Sequence, residues 1–434
     1  AERLFATVFG TVGVLALVAT ALFWWQAEAL IALQFPRFAP ETIALTVRLT
    51  RIVLPAQIFF ITGAIIRAAL MAEGRFGAQA LAPVLYNGTI ITAGFLLAPR
   101  LGVEGFAWGA LLGAFLGPFL VGWLDSLGRI RLRVRVAPLD REFLGYLVVA
   151  APLMLGLSLL VVDEWYERIF GGLQAAGTVA RLGYARQLML VPVAVVGQAL
   201  AAAALPFLSR LWTEGRREEL DELVIRTLRI SVGLGVLAGA GLAAFAGPAV
   251  VVVYQRGLFT PEDAGAVATL LSILALACPA WVVQQVAPRA FYARGDTWRP
   301  MILASLIAVA MIPGYFVLGE RYGAVGIAWA GVLGISGNAI ATVLLARVLH
   351  GAPPLRPLLG TLLRSLMIAA AAVAAARLAA PGIPGTLGSL ADLAAGGAVF
   401  LVVAGLGVAV LGDAPTREAV LRLLQRLRFR RLEP

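Results

Sequence analysis

Residues 324–346 read AVGIAWAGVLGISGNAIATVLLA and contain no charged side chain. A helix needs about 20 mostly apolar residues to cross the hydrocarbon core of a bilayer, so this stretch is long enough to span a membrane. Its apolar residues do not alternate with period 2, which argues against a barrel strand. Similar stretches recur on both sides of it, and together they predict an all-α polytopic membrane protein with about 12 spans. The predicted spans are 3–25, 45–72, 78–98, 104–124, 143–162, 179–204, 228–254, 266–292, 300–318, 324–346, 358–380 and 392–411.

The composition excludes several classes of soluble enzyme. Hydrophobic residues make up 61% and charged residues 14% of the 434 positions, whereas soluble domains are nearer 45–50% apolar and about 25% charged. All 35 basic residues are arginine, so neither a P-loop lysine nor a Schiff-base lysine is available. The single cysteine, Cys278, and the single histidine, His350, cannot form a disulfide or a zinc cluster. We therefore predict a membrane protein that is not an enzyme.

The distribution of arginine predicts the orientation. Arginines concentrate in the loops 125–142 and 209–226 and in the tail 413–434. Because cytoplasmic loops carry an excess of arginine and lysine, these segments and the C terminus are predicted to face the cytoplasm. The tail interleaves leucines with arginines, which indicates a basic amphipathic helix on an anionic membrane surface. An ordinary solvated tail is the alternative.

Ionisable residues near predicted spans are the candidates for function, because an isolated charge in hydrocarbon is costly and usually faces a polar cavity. The densest group is Asp163, Glu164, Glu167 and Arg168, which could instead be solvated in an extracellular loop.

Arg186 lies inside the predicted span 179–204, beside Gln187, and Arg181 precedes it by five residues. The arginine fork pairs bidentately with phosphate or carboxylate, so these residues favour an anionic ligand. The competing interpretation is a structural ion pair between Arg186 and Glu167.

Several short motifs occur together along the chain: GYARQL at 183–188, Val191-Pro192, ALPFLS at 204–209, RGLFT at 256–260 with Asp263, RAFYA at 289–293 with Asp296, Thr297 and Pro300, and, earlier, Arg75-Phe76, Ala82-Pro83 and Asn87. In combination they resemble the MurJ family of lipid II flippases, which belongs to the superfamily of multidrug, oligosaccharidyl-lipid and polysaccharide exporters.

The resemblance implies two helical lobes around a central cavity, followed by two extra helices. About 12 helices are predicted of an expected 14. The first span here resembles the family's third helix, so the resemblance implies that this sequence lacks the family's first two helices. The predicted division is 1–137 for the four remaining helices of the first lobe, 138–350 for the six-helix second lobe, 351–412 for the two extra helices, and 413–434 for the tail. The family usually places an acidic residue before this arginine, so Arg186-Gln187 is shifted by one position, about 100° around a helix.

The implied function is to flip lipid II, a peptidoglycan precursor linked to undecaprenyl pyrophosphate, across the bacterial inner membrane. The alternatives are export of another lipid-linked oligosaccharide, drug or cation antiport, a scaffold, and a membrane glycosyltransferase. Membrane lipids and other cell-wall synthesis proteins are the expected partners, and nucleic acid is not. The predicted substrate-binding residues are Arg186, Gln187, Arg181 and Asn87, and Glu167 and Asp296 are predicted to contribute to a sodium site; no other cofactor is expected.

Overall fold

The computed structural model describes residues 2–130, 133–148, 150, 162–351 and 353–429, and all regular structure in that part of the chain is helical. The prediction of an all-α fold is therefore confirmed. Contacts within the chain divide it into two compact units, residues 1–151 and 152–434.

The first unit contains eight helices, some of them short or joined end to end. They are α1 (Glu2–Trp25), α2 (Ala27–Gln34), α3 (Pro40–Val53), α4 (Ala56–Ala72), α5 (Gly77–Leu101), α6 (Glu104–Ala114), which continues through a π-helical segment (Phe115–Val121) into α7 (Gly122–Ser126), and α8 over 141–148.

Small residues let α5 and α6 pack as a close antiparallel hairpin. The chain turns at Gly102, whose φ of 58° is a left-handed conformation that favours glycine. A Cβ atom at Gly109 would lie 2.7 Å from the Ala93 side chain, and one at Gly117 would lie 2.4 Å from the Ala82 carbonyl oxygen. Larger residues at these two positions of the second helix would force the hairpin apart.

The second unit begins with α9 (Val162–Gly172) and α10 (Thr178–Val193), which passes through a π-helical segment (Ala194–Gln198) into α11 (Ala199–Thr213). It continues with α12 (Arg217–Ala244), α13 (Ala246–Tyr254), α14 (Pro261–Ala275), α15 (Cys278–Tyr292), α16 (Trp298–His350), α17 (Leu355–Ala379), α18 (Thr386–Leu411) and α19 (Ala414–Phe429).

The long element α16 is a helical hairpin rather than one straight helix. Its backbone leaves the helical region at Gly323, with φ 60° and ψ −136°. Glycines on the second half contact residues progressively earlier on the first half: Gly326 meets Leu318, Gly331 meets Tyr315 and Gly334 meets Met311. The two halves therefore run antiparallel and correspond to the predicted spans 300–318 and 324–346.

In the described residues, nine helices are long and apolar enough to cross a membrane, or ten when α14 and α15, bent by 44°, count as one broken span. The hairpin α16 is one of the nine, so its two halves add another crossing to the total. The predicted span 143–162 begins in α8, but residues 149 and 151–161 of it lie outside the described residues. The polytopic architecture that the sequence predicts is thus confirmed.

The boundary between the units falls at residue 151, later than the predicted lobe boundary at 137. The intervening segment packs on α1 because Asp140 pairs with both Arg3 and Arg135 at 3.2 Å. The backbone N–H of Arg135 also donates to the carbonyl oxygen of Ala6. The helices α17 and α18, predicted as an addition after residue 350, pack against α12 and α13 of the second unit.

The basic tail forms the predicted helix, α19, and its first turns pack on α12. Arg229 pairs with the buried Asp413 at 2.9 Å, and Arg226 pairs with Glu418. The close approach depends on Gly233, where a Cβ atom would lie 2.8 Å from the Thr416 hydroxyl oxygen. The start of the tail is thus anchored to protein, and its contact with a membrane surface stays a prediction.

Candidate functional site

The centre of the second unit contains a buried ion pair between α10 and α9. Arg186 donates from Nε to Glu167 Oε2 at 2.7 Å and from Nη2 to Oε1 at 2.6 Å. Arg186 is 6% exposed and Glu167 is 3% exposed, so water screens the pair weakly. The Trp281 ring lies 5.7 Å from the guanidinium carbon and adds a cation–π contact. In this structure the arginine fork is therefore taken by a carboxylate of the protein itself.

Two further polar residues extend this cluster. The Tyr315 hydroxyl, on the first half of α16, donates to Asp163 Oδ1 at 3.4 Å. Tyr315 is fully buried and stacks on Phe170 with ring centroids 5.6 Å apart. Room for it comes from Gly331, where a Cβ atom would lie 3.2 Å from the Tyr315 hydroxyl oxygen. Residues of α9, α10 and α16 thus form one polar cluster inside an apolar bundle.

A small cavity adjoins the cluster on the side of Asp163. Its volume is about 30 Å³, and its lining includes Asp163, Trp281 and Asn338. The Oδ1 atom of Asn338 is buried and, among the described residues, has no hydrogen-bond partner. A cavity needs roughly 10–15 Å³ to hold one water molecule, so this cavity has room for one or two water molecules or an ion of similar size. A carboxylate and an unpaired amide oxygen at one cavity are ligands that suit a hard cation.

Arg181 lies on the first turn of α10 and is bound elsewhere. Its Nε and Nη2 atoms donate to Asp263 Oδ1 at 3.1 and 2.8 Å. Asp263 also completes a capping box with Thr260 at the start of α14, so the arginine is tied to a helix end. About a third of each side chain in this ion pair is exposed, which leaves it accessible to solvent or ligand.

The shifted position of Arg186-Gln187 has a direct structural consequence. Arg186 points into the bundle, whereas Gln187 is exposed on an open groove of about 430 Å³ between α9 and α10. Tyr184 lines the same groove. Both of these neighbouring residues, which are predicted to bind substrate, line the groove. The amide of Gln187 lies exposed at its surface, and the guanidinium of Arg186 lies buried at its floor.

The two remaining predicted residues, Asn87 and Asp296, have other partners. Asn87 is on α5 in the first unit, exposed, and its Nδ2 donates to the Pro83 carbonyl oxygen at 3.0 Å. Asp296 lies in the turn before α16 and accepts from the backbone N–H of Arg299 at 3.2 Å and from its Nη1 at 3.1 Å. Glu167 and Asp296 are therefore each engaged by a different arginine, and they do not form a joint cation site in this structure.

Two features escaped the sequence analysis. Tyr315 and Asn338 sit in apolar runs with nothing in their spacing to single them out, although a polar residue in a span is itself a signal. Arg67, in α4, lies inside the predicted span 45–72 and was not singled out either. Among the described residues no three His, Cys, Asp or Glu side chains form a group that could hold a metal ion.

The described residues, which are helical in all their regular structure and contain repeated apolar spans, define a polytopic membrane protein. A solved lipid II flippase MurJ in an inward closed conformation superimposes with a TM-score of 0.78 at 19% identity, covering 95% of this chain and 85% of that one. An inward-facing multidrug MATE transporter superimposes with a TM-score of 0.68 at 18% identity, covering 79% and 80%.

The family model for the lipid II flippase MurJ matches residues 1–391, so the chain belongs to the MurJ family. A probable lipid II flippase MurJ of Bdellovibrio bacteriovorus is 27% identical over 298 residues, 68% of this chain and 57% of that protein. One from Rhizobium meliloti is 28% identical over 313 residues, 70% and 58% respectively. The chain thus spans less than two thirds of the length of these relatives. The resemblance seen in the motifs is confirmed, and the chain is a multi-pass protein of the bacterial inner membrane.

Proposed function

We propose that this chain takes part in flipping lipid II, moving the head group on undecaprenyl pyrophosphate from the inner to the outer leaflet by alternating access. The observation that carries the proposal is the match of the MurJ family model to residues 1–391. The chemistry agrees, because a pyrophosphate head group needs cations within the membrane and arginine is the side chain best shaped to meet phosphate. All the fixed positive charge of this sequence is arginine.

Within the second unit, the groove between α9 and α10 is the surface on which we place part of the head group. Gln187 and Tyr184 offer neutral hydrogen-bonding groups at its wall. Arg186 supplies positive charge from the floor, offset by Glu167, and would bind phosphate directly only after Glu167 releases one of its two contacts. Arg181, a third exposed, is a second phosphate ligand that competes with Asp263.

We further infer that sodium influences the transport cycle, with Asp163 rather than Asp296 as the main ligand. Glu167 is committed to Arg186, whereas the Asp163 carboxylate and the Asn338 oxygen meet at the same small cavity. A cation held there would counter the negative charge of Asp163 next to the ion pair and so favour one packing of α9 against α16.

The orientation belongs to the same proposal. Arginines in the loops 125–142 and 209–226 support a cytoplasmic C terminus. With that orientation, the turn that ends α4 and the turn that precedes α16 face the inner leaflet, where the precursor is made available for export.

A reconstituted assay tests the function. The full chain is placed in liposomes with lipid II that carries a fluorophore on its head group, and an impermeant reductant bleaches only the outward-facing molecules. We expect the bleached fraction to rise above that of protein-free liposomes, and to rise faster in sodium than in potassium. A lipid-linked oligosaccharide without the peptide and a cationic dye serve as competing substrates.

The matched control is Glu214→Gln, which removes an exposed carboxylate from the loop between α11 and α12 and should flip lipid II at the parental rate. Transport of the cationic dye but not of lipid II would replace the proposal with drug antiport. Transport of the oligosaccharide alone would restrict it to another lipid-linked substrate.

A further inference from the structure

Arg67 differs from the other arginines described above in the partners that it has. It lies in α4, inside the candidate span Pro40–Ala72. Its Nε donates to Gln79 Oε1 at 2.9 Å, and its Nη1 donates to the carbonyl oxygen of Pro118. Both partners are neutral, and in the described part of the chain no carboxylate pairs with it. By contrast, Arg75 on the following turn pairs with Asp125 at 2.7 Å.

The surroundings hold the guanidinium in place. The segment that contains Pro118 is π-helical, and it approaches α4 closely because residue 63 is glycine: a Cβ atom there would lie 2.1 Å from the Pro118 carbonyl oxygen. Gly122 gives similar room, since its Cβ atom would lie 3.2 Å from Cγ of Arg67. Two of the five guanidinium N–H donors are used, which leaves three for a further ligand.

A cavity of about 150 Å³ opens beside this group. It is lined by Phe60, Arg67, Gln79, Ala82, Pro83, Tyr86 and Pro118. Gln79, Pro83 and Tyr86 are spaced four and three residues apart on α5, so they share one face of the helix, and Asn87 follows on the same face. The cavity is smaller than the roughly 300–1,000 Å³ of pockets for drug-sized ligands, so it suits one small head group.

The position of Arg67 along the helix identifies the kind of ligand. It lies five residues before the end of α4, about 7.5 Å along the axis at 1.5 Å per residue. That depth is near the polar head groups of one leaflet. Because arginine side chains near helix ends extend to the head-group region, phosphate groups are the anions that this guanidinium can reach.

We propose that Arg67, with Gln79 beside it, binds a phosphoryl group at the end of α4. This inference deepens the proposed function and rests on it only for the identity of the transported lipid; the site itself is a property of the first unit. Arg67 supplies the charge, the Gln79 amide offers its remaining N–H groups, and Tyr86 closes one wall.

The test measures ligand-induced stabilisation of the purified full chain against heat. One arm adds inorganic pyrophosphate in detergent. The other compares nanodiscs of phosphatidylcholine with nanodiscs of phosphatidylcholine and phosphatidylglycerol in equal parts. The key variant is Gln79→Glu, which leaves Arg67 in place but puts a carboxylate at the position that already contacts its Nε. The control is Arg100→Gln, an equal change of charge at the far, exposed end of α5.

We expect Gln79→Glu and Arg67→Gln to weaken binding at least tenfold, about 1.4 kcal/mol, in at least one arm, and Arg100→Gln to bind as the parent does. The arm that responds identifies the source of the phosphate, free or lipid-borne. Unchanged binding of Gln79→Glu in both arms would overturn the site. The flipping assay is a separate measurement. If the parent chain binds phosphate, the variants lose that binding, and the parent does not flip lipid II, the proposed function is refuted but the phosphate site is supported.

Discussion

The ion pair between Arg186 and Glu167 should behave as a coupled unit in a double-mutant cycle. Replacing Arg186 with methionine leaves Glu167 buried and charged without its partner, and breaking one side of a buried pair typically costs about 3–5 kcal/mol. The geometry supports that range, because two charge-assisted hydrogen bonds of 2.6 and 2.7 Å are lost and each contributes about 1.5–3 kcal/mol.

The reciprocal variant should be milder. Glu167→Gln keeps the shape of the side chain, and Asp163, which also interacts electrostatically with Arg186, is left as a second counter-charge. We expect a loss of about 2–3 kcal/mol, within the range for a hydrogen bond to a charged group. The double variant removes both charges and should cost no more than the milder single change. The coupling energy is then at least as large as the cost of the Arg186 change, about 3–5 kcal/mol, well above the roughly 0.3–0.5 kcal/mol within which independent sites add.

Equilibrium unfolding in mixed micelles, followed by far-ultraviolet circular dichroism, measures all four proteins. A coupling energy below about 0.5 kcal/mol would refute the conclusion that this pair is an energetic unit. Arg186→Lys then distinguishes a structural role of Arg186 in the ion pair from a role in substrate binding, because lysine keeps the charge but lacks the planar fork. If Arg186 acts only through Glu167, the lysine variant flips lipid II in proportion to its folded fraction; a folded variant that has lost flipping assigns a direct role to the fork.

Three further outcomes follow from the charges and the topology. Arg133→Cys in a Cys278→Ala background should resist an impermeant thiol reagent in intact cells and react in inverted vesicles, and labelling in intact cells would reverse the orientation. Burial alone would raise the pKa of Asp413, but hydrogen bonds from Thr361 and Thr416 and the charge of Arg229 outweigh it and hold that pKa below its usual range. The stabilisation that this carboxylate gives is therefore full above its unfolded pKa of about 3.9 and is lost as the pH falls through the lower folded pKa. Asp413→Asn should lower the free energy of unfolding by about 1.5–3 kcal/mol at neutral pH, and this difference should shrink only in acid. A difference that already shrinks between pH 7 and 5 would contradict the assignment. Asp163→Asn should abolish any difference in thermal stability between sodium and potassium buffers, and a persisting difference would place the cation elsewhere.

The helical architecture was predictable because hydrophobic length is read directly from the sequence. Even the hairpin in α16 follows from it, since the runs 300–318 and 324–346 are each long enough to cross and the charged residues Glu320 and Arg321 fall between them. What length does not reveal is the bend between α14 and α15, which falls at the break at residues 276 and 277, just before Pro279.

The site was predictable only in part, because the sequence places a residue on a helix but does not choose its partner. Arg186 was open to two interpretations, an anion ligand or an ion pair with Glu167. In this structure Arg186 pairs with Glu167, because α9 packs against α10 with both side chains directed into the bundle; binding of an anion by Arg186 stays a prediction. Helical spacing relates positions on one helix, whereas the packing of different helices is set by the whole tertiary structure.

The division of arginines into paired and unpaired ones bears on how a flippase can release its cargo. A buried cation that already holds a carboxylate, as Arg186 does, offers a phosphate only an exchange of partners, so its net contribution to binding is small. A cation held by neutral oxygens, as Arg67 is, gains a full counter-charge when a phosphate arrives. Binding would be strongest at the unpaired arginine and weaker where Glu167 or Asp263 competes. If the proposed function holds, such competition would keep a doubly charged head group from resting in a deep energy minimum at Arg186 or Arg181, which transport requires and tight binding alone would prevent.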